Sequence, residues 1–160
     1  MIIIMSKFYQ GYLTKVDKIV TAHSWVALLA RLYIAKVFFL AGLTKVQDWD
    51  TTLFLFEEEY QVPLIPFELA AYLGTIGELV LPVLLVLGFF TRFTALGLFI
   101  VNYVAVISLV EIAPAALYLH YIWGLLLAQI IIYGAGVASI DGFMARMTSA
   151  KQKEGVLNYV

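Results

Sequence analysis

The sequence contains no cysteine. A chain without thiols cannot form a disulfide or relay electrons through a thiol pair, and it cannot by itself hold an iron–sulfur cluster or a thiolate metal site. Any redox chemistry would therefore need a partner protein or a bound organic ligand.

Charged residues are also scarce: they make up 13% of the 160 residues, and the formal net charge is −1. Nucleic-acid binding needs clustered lysine and arginine to neutralise phosphates, so this class of function is excluded. Hydrophobic residues make up 63% of the chain, and the mean hydropathy is +0.95. Soluble domains have about 45 to 50% apolar residues. The composition therefore indicates an integral membrane protein.

Four segments are long and apolar enough to cross a bilayer, which takes about 20 residues. They cover residues 25–44, 68–87, 93–112 and 117–138. We predict an all-α fold, an integral membrane four-helix bundle, over residues 25–142. An N-terminal interfacial amphipathic helix at 1–24 precedes the bundle, and a mobile cytoplasmic tail ends the chain within 143–160.

The interfacial helix is predicted from a stripe of aromatic and aliphatic residues between Phe8 and Val20, with Lys7, Lys15 and Lys18 opposite. A helix packed on a partner protein would have the same pattern. Cations also follow the last span and occupy the turn at Arg92, so the positive-inside rule places both termini in the cytoplasm.

The loop after the first span is acidic and is expected outside the cell. It carries Asp48, Asp50 and three glutamates at 57–59. Pro63 and Pro66 end any helix that begins in this loop. Such a helix forms either a lid or an ordinary surface helix.

Five polar side chains within the spans form the candidate site. Charges inside a bilayer are costly and indicate function, whereas amides and histidines can simply join helices. The residues are Arg31, Lys45, Glu78, Asn102 and His120. Arg31 has a bundle-facing position and a long side chain, so we predict an Arg31–Glu78 ion pair.

Lys36 is expected at the same depth as Glu78 but on a lipid-facing side of the first span. Extension of the ammonium to the headgroups, binding of an anionic lipid and contact with a second subunit are all open for it. A metal is not expected, because His23 and His120 fall at opposite membrane faces and no zinc or copper ligand set is present.

After the last span, "GAGVASIDGF" predicts a helix end at glycine, and Asp141 is expected to cap a short interfacial helix at 142–147.

The order and spacing of these landmarks resemble the DoxX family of small four-span bacterial membrane proteins. The resemblance covers roughly residues 28–142, through "RLYIAKVFFLAGLTKVQDW", "VPLIPFELAAYLGTIGELVLPVLLVLGFFTRFTAL" and "LHYIWGLLLAQIIIYGAGVASID". Lys36 departs from the family pattern. Structural landmarks of the family correspond to Gly42, Pro82, Gly88, Arg92, Gly134, Gly136, Ser139 and Asp141. The resemblance implies a location in the bacterial cytoplasmic membrane.

The family includes a small subunit of a thiosulfate:quinone oxidoreductase, and other members are associated with oxidative-stress complexes. The resemblance implies an accessory subunit of a membrane redox system, with a quinone or similar amphipathic molecule as the candidate ligand. The alternative is a non-enzymatic chaperone or scaffold, in metal or modified-peptide handling. A transporter ranks last because four spans are few for alternating access. Membrane lipids and either a protein partner or a second copy are the expected partners.

Overall fold

The computed structural model describes residues 2–136 and 138–157, and within them the side-chain surroundings of residues 22–136, 138–149 and 152. This part of the chain is all-α. Its six helices are α1 (Ile2–Gln47), α2 (Trp49–Glu58), α3 (Phe67–Leu87), α4 (Thr91–Ser108), α5 (Pro114–Tyr133) and α6 (Ile140–Leu157).

Four of these helices are long and apolar enough to cross a membrane. They are the Ala22–Gln47 part of α1 and the whole of α3, α4 and α5. The four predicted spans are thus confirmed in number and order. α4 and α5 end earlier than the predicted 112 and 138, and α5 stops because Gly134 adopts a left-handed φ of +81° that glycine favours.

The first helix runs without interruption from Ile2 to Gln47, so no break separates the predicted interfacial segment from the span. The side chains of its proposed amphipathic stripe lie outside the described residues, and its position at the membrane surface stays a prediction. At the other end of the chain, α6 extends well beyond the short helix expected at 142–147.

The spans pack as a closed bundle in which α1 contacts α3 and α5, and α4 contacts α3 and α5. Large apolar side chains also cover the outward faces, as lipid contact requires. The buried core consists of Ala30, Ile34, Phe38, Leu85, Ala95, Leu98, Leu127 and Ile130.

The bundle has two ends, named here by a residue at each. At the Pro66 end, α2 packs Phe56 on Ala70 and Ala71 at the start of α3. At the Gly88 end, the α3–α4 turn meets the segment after α5, where Gly88 lies against Ser139 and its carbonyl accepts a hydrogen bond from Asp141 N. Which end faces the cytoplasm stays a prediction.

Candidate functional site

Two charged side chains form an ion pair between α1 and α3. Lys45 Nζ lies 2.5 Å from Glu78 Oε2, and the two side chains are 20% and 11% exposed. Gly42 brings the helices together, since a Cβ added there would lie 3.0 Å from Glu78 Cβ and 2.9 Å from Leu79 Cγ. A small residue one turn before Lys45 therefore sets the register of the pair.

The ion pair lies on the wall of a cavity of about 320 Å³ at the Pro66 end. Parts of α2, α3, α4 and the loop before α3 enclose it, and most of its wall is apolar. Its lining is Lys45, Phe56, Tyr60, Val62, Pro63, Ile65, Ala70, Leu73, Gly74, Glu78, Ile100, Val101, Val104, Ala105 and Ser108.

Two hydroxyl-bearing residues complete the cavity wall. Of the buried side-chain atoms without a hydrogen-bond partner in the described part of the chain, Ser108 Oγ alone belongs to a cavity-lining residue. Burial raises the pKa of Tyr60, and the negative charges of Glu78 and Glu59 raise it further. The Tyr60 hydroxyl therefore stays protonated at neutral pH and can donate a hydrogen bond.

The cavity reaches the outer surface of the bundle between α3 and α4. Leu73 and Ile100 both line it, and each is 54% exposed on a face that meets lipid. A hydrogen bond from Gln61 N to Ser108 O, 2.8 Å long, holds the loop against the end of α4. The opening of the cavity therefore lies between these two candidate spans.

Arg31 lies at the opposite end of the bundle, so the predicted Arg31–Glu78 pair is wrong. Its Nη1 donates to Ala135 O at 2.8 Å, and its Nη2 donates to Val86 O at 3.1 Å and Ala138 O at 3.0 Å. These carbonyls belong to the last turn of α3 and to the connection after α5, where helical partners are missing. The buried guanidinium thus joins the end of α3 to the segment after α5.

Asp141 caps a different helix from the one predicted. Its two carboxylate oxygens accept from Phe90 N at 3.0 Å and Thr91 N at 2.8 Å, at the start of α4. The start of α6 is instead capped by Ser139, whose Oγ accepts from Gly142 N at 3.0 Å. A sequence-local argument assigned the cap to the nearest helix, but the fold brings another helix start closer.

The remaining landmark residues surround this end. Gly88 has a φ of +67°, and a Cβ there would overlap Ser139 Cβ. Gly136, with a φ of +74°, lies against Ser24, and Arg92 lies beside Gly134. Pro82 is buried inside α3. Apart from Pro82, these residues lie where the ends of α3 and α5 meet the start of α4.

Asn102 and His120 form a third polar cluster, between α4 and α5. Asn102 Nδ2 donates to His120 O at 3.0 Å, and His120 Nδ1 donates to Asn102 Oδ1 at 2.8 Å. The His120 ring also meets the edge of Trp123. Neither Asn102 nor His120 lines the cavity. The five predicted site residues thus fall into three places, and only Lys45 and Glu78 share a site.

Comparison with known proteins identifies the family, because the DoxX family profile matches residues 26–111, which include most of the first candidate span and the whole of the next two. The chain belongs to the DoxX family. An uncharacterized protein of Haemophilus influenzae is 30% identical over 133 residues, covering 78% of this chain and 86% of that protein. No solved structure matches the chain. It is accordingly a multi-pass membrane protein.

The DoxX match includes the Lys45–Glu78 pair and the whole cavity lining, but it ends before His120 and Asp141. Sequence reasoning missed Tyr60 and Ser108, because a hydroxyl near a span end is common and signals little. The available signal was the acidic, aromatic segment followed by two prolines, because this segment supplies Phe56, Tyr60 and Pro63 to the cavity wall.

The described side chains of this DoxX protein do not form a metal site. Among the side chains of residues 22–136 and 138–149, no group of three or more histidine, aspartate or glutamate residues is placed to bind one ion. The polar groups of the cavity can form hydrogen bonds with an organic ligand.

Proposed function

We propose that this DoxX protein binds the polar head of a quinone-class molecule in the cavity at the Pro66 end, as the membrane subunit of a redox system. One observation carries the proposal: an ion pair, together with a serine whose buried hydroxyl has no hydrogen-bond partner among the described residues, lines a mostly apolar cavity that reaches the lipid-facing surface. Apolar pockets with a few convergent polar groups are typical ligand sites.

The cavity size supports a small head group. A volume of about 320 Å³ is at the lower end of the usual range for ligand pockets. It accommodates a single substituted ring but not a long isoprenoid tail. The tail would leave between Leu73 and Ile100, which are exposed to lipid.

The polar groups match what a quinone head needs. A quinone supplies carbonyl acceptors and takes up two electrons and two protons when a redox group of a partner subunit reduces it. The Lys45 ammonium has three N–H donors, so its bond to Glu78 leaves donors for a ligand carbonyl. Ser108 and Tyr60 offer hydroxyls, and the Glu78 carboxylate can accept and pass on a proton.

The test is to measure by calorimetry the binding of a short-chain ubiquinone to the purified protein in lipid nanodiscs. Lys45→Met should weaken binding about ten-fold or more, as loss of a hydrogen bond from a charged donor does. Ala105→Trp should abolish binding by filling the cavity. Asn102→Leu is the matched control, because it breaks a polar pair outside the cavity and should leave binding intact.

Failure of the wild-type protein to bind the quinone would refute the proposal. Equal binding by the wild-type protein, Lys45→Met and Ala105→Trp would refute it as well, since the ligand would then lie elsewhere.

A second candidate is a non-enzymatic scaffold that docks a basic partner protein on α2. The acidic side chains of this segment are exposed, which supports electrostatic docking. They are Asp48, Asp50, Glu57, Glu58 and Glu59. Neutralising Glu57–Glu59 together should weaken partner capture and leave quinone binding unchanged, which separates the two functions.

A further inference from the structure

Lys36 lies in a groove on the outer surface of the bundle, between α1 and α3. The groove has a volume of about 360 Å³, and Lys36 is its one charged lining residue. Its walls include Leu32, Ala35, Pro82 and Val83. Lys36 is exposed, and within the described residues it makes no ion pair or hydrogen bond. A cation on a lipid-facing surface therefore has no counter-charge within this part of the chain.

The register of α1 against α3 fixes the depth of Lys36. Gly42 lies against Glu78, and Arg31 bonds to Val86 O, so the two helices run antiparallel. Lys36 lies beside Pro82 and Val83 rather than level with Glu78, which corrects the depth expected from the sequence. Its backbone is therefore only about one helical turn, roughly 6 Å, inside the Leu87 end of α3.

The direction of the side chain also matters. Side chains of an α-helix tilt toward its N-terminus, and the N-terminal part of the α1 span lies at the Gly88 end, where Arg31 bonds to Val86. The Lys36 side chain is thus directed toward the Gly88 end of the bundle, and a lysine side chain can extend in that direction toward the headgroups. A carboxylate at the middle of the membrane in a partner helix would lie on the opposite side of the Lys36 backbone, away from the ammonium.

We propose that this groove is a binding site for an anionic phospholipid, with the lipid phosphate on the Lys36 ammonium and an acyl chain along the groove. Charge complementarity selects the head, and the apolar wall accommodates the chain. Ala35 and Pro82 are compact side chains that leave room between the two helices. The site shares no residue with the cavity at the Pro66 end, so it stands independently of the proposed quinone function.

The test is native mass spectrometry of the delipidated full-length protein, titrated with phosphatidylglycerol or with phosphatidylcholine. The wild-type protein should prefer phosphatidylglycerol. Lys36→Met should lower the affinity for phosphatidylglycerol about five-fold, the value of one basic residue near an anionic lipid, and should leave that for phosphatidylcholine unchanged. Lys36→Arg should retain the preference.

Two further variants locate the site. Val83→Trp should weaken both lipids by filling the groove, since Val83 is an exposed groove residue. Arg92→Gln removes another exposed cation at the same end, outside the groove, and should change neither affinity.

An unchanged phosphatidylglycerol preference in Lys36→Met would overturn the proposal. An equal loss in Arg92→Gln would do so too, because it would reveal general surface charge. Efficient disulfide formation between two copies of Lys36→Cys in nanodiscs would assign the groove to a second copy instead.

Discussion

The two ends of the α1 span each carry a cation of the bundle interior, and the two are used differently. At the Gly88 end, Arg31 is 1% exposed and directs three hydrogen bonds to backbone carbonyls from two other segments. At the Pro66 end, Lys45 is partly exposed, bonds to one carboxylate and borders a cavity. A buried charge can thus close a bundle at one end and remain available to a ligand at the other.

The surroundings sharpen this contrast. At the Gly88 end, Asp141 and Ser139 cap two helices and Gly88 allows their close approach. At the Pro66 end, the hydroxyl of Ser108, a cavity-lining residue, has no hydrogen-bond partner among the described residues. The Gly88 end is therefore expected to carry more of the stability and the Pro66 end more of the ligand chemistry.

The largest expected effect is on stability at the Gly88 end. Arg31→Met should lower the free energy of unfolding by about 3–5 kcal/mol, because it leaves three carbonyl oxygens without donors. Lys45→Met is the matched change at the other end and should cost only about 1–2 kcal/mol, since Glu78 can become neutral by taking up a proton. Unfolding both variants in the same bicelles measures the difference. Equal losses of unfolding free energy in the two variants would contradict the proposed difference between the two ends.

An intermediate effect is expected at the helix cap. Asp141→Ala should cost about 1–2 kcal/mol and should speed amide hydrogen exchange at Phe90 and Thr91, which lose their acceptor. Ser139→Ala should instead speed exchange at Gly142. If Asp141→Ala acted mainly at the start of α6, the residue would cap its own helix, and the observed contact between Asp141 and the start of α4 would be contradicted.

The smallest expected effect concerns pH at the Pro66 end. Hydrogen bonds from Thr51 hold the pKa of Asp48 below its usual value. A carboxyl group with a lowered pKa stabilises the fold above its unfolded-state pKa, and the stabilisation disappears as the pH falls through the lower folded-state value. The protection of the Thr51 amide against hydrogen exchange, measured relative to its intrinsic rate at each pH, should therefore fall once the pH drops below about 4.

Asp48→Asn should remove this acid dependence, whereas Asp50→Asn, on the same helix, should retain it. An acid-induced loss of Thr51 protection of the same size in Asp48→Asn would assign the effect to another group.

Much of the architecture was predictable from the sequence because apolar runs of membrane-spanning length are a strong local signal. The span predicted at 68–87 corresponds to Phe67–Leu87. The end of α5 was missed because a single left-handed glycine, Gly134, stops a helix that remains apolar beyond it. Hydropathy does not report backbone dihedral angles.

The partners of the charged residues were not predictable in the same way. The helical-face pattern correctly predicted that Arg31 and Glu78 point into the bundle. It does not, however, determine the register of one helix against another. That register follows from the contact of Gly42 with Glu78 and Leu79, between residues far apart in the chain. The same limitation explains the misassigned cap of Asp141.

The sequence by itself determined that this chain is a four-span membrane protein with a few polar groups among its helices, because composition and the length of apolar runs are local properties. Only the tertiary structure decided that Lys45 pairs with Glu78, that Arg31 serves the opposite end, and that Tyr60 and Ser108 border a cavity. Those outcomes depend on how far one helix slides along another, which is determined by packing between residues distant in the chain.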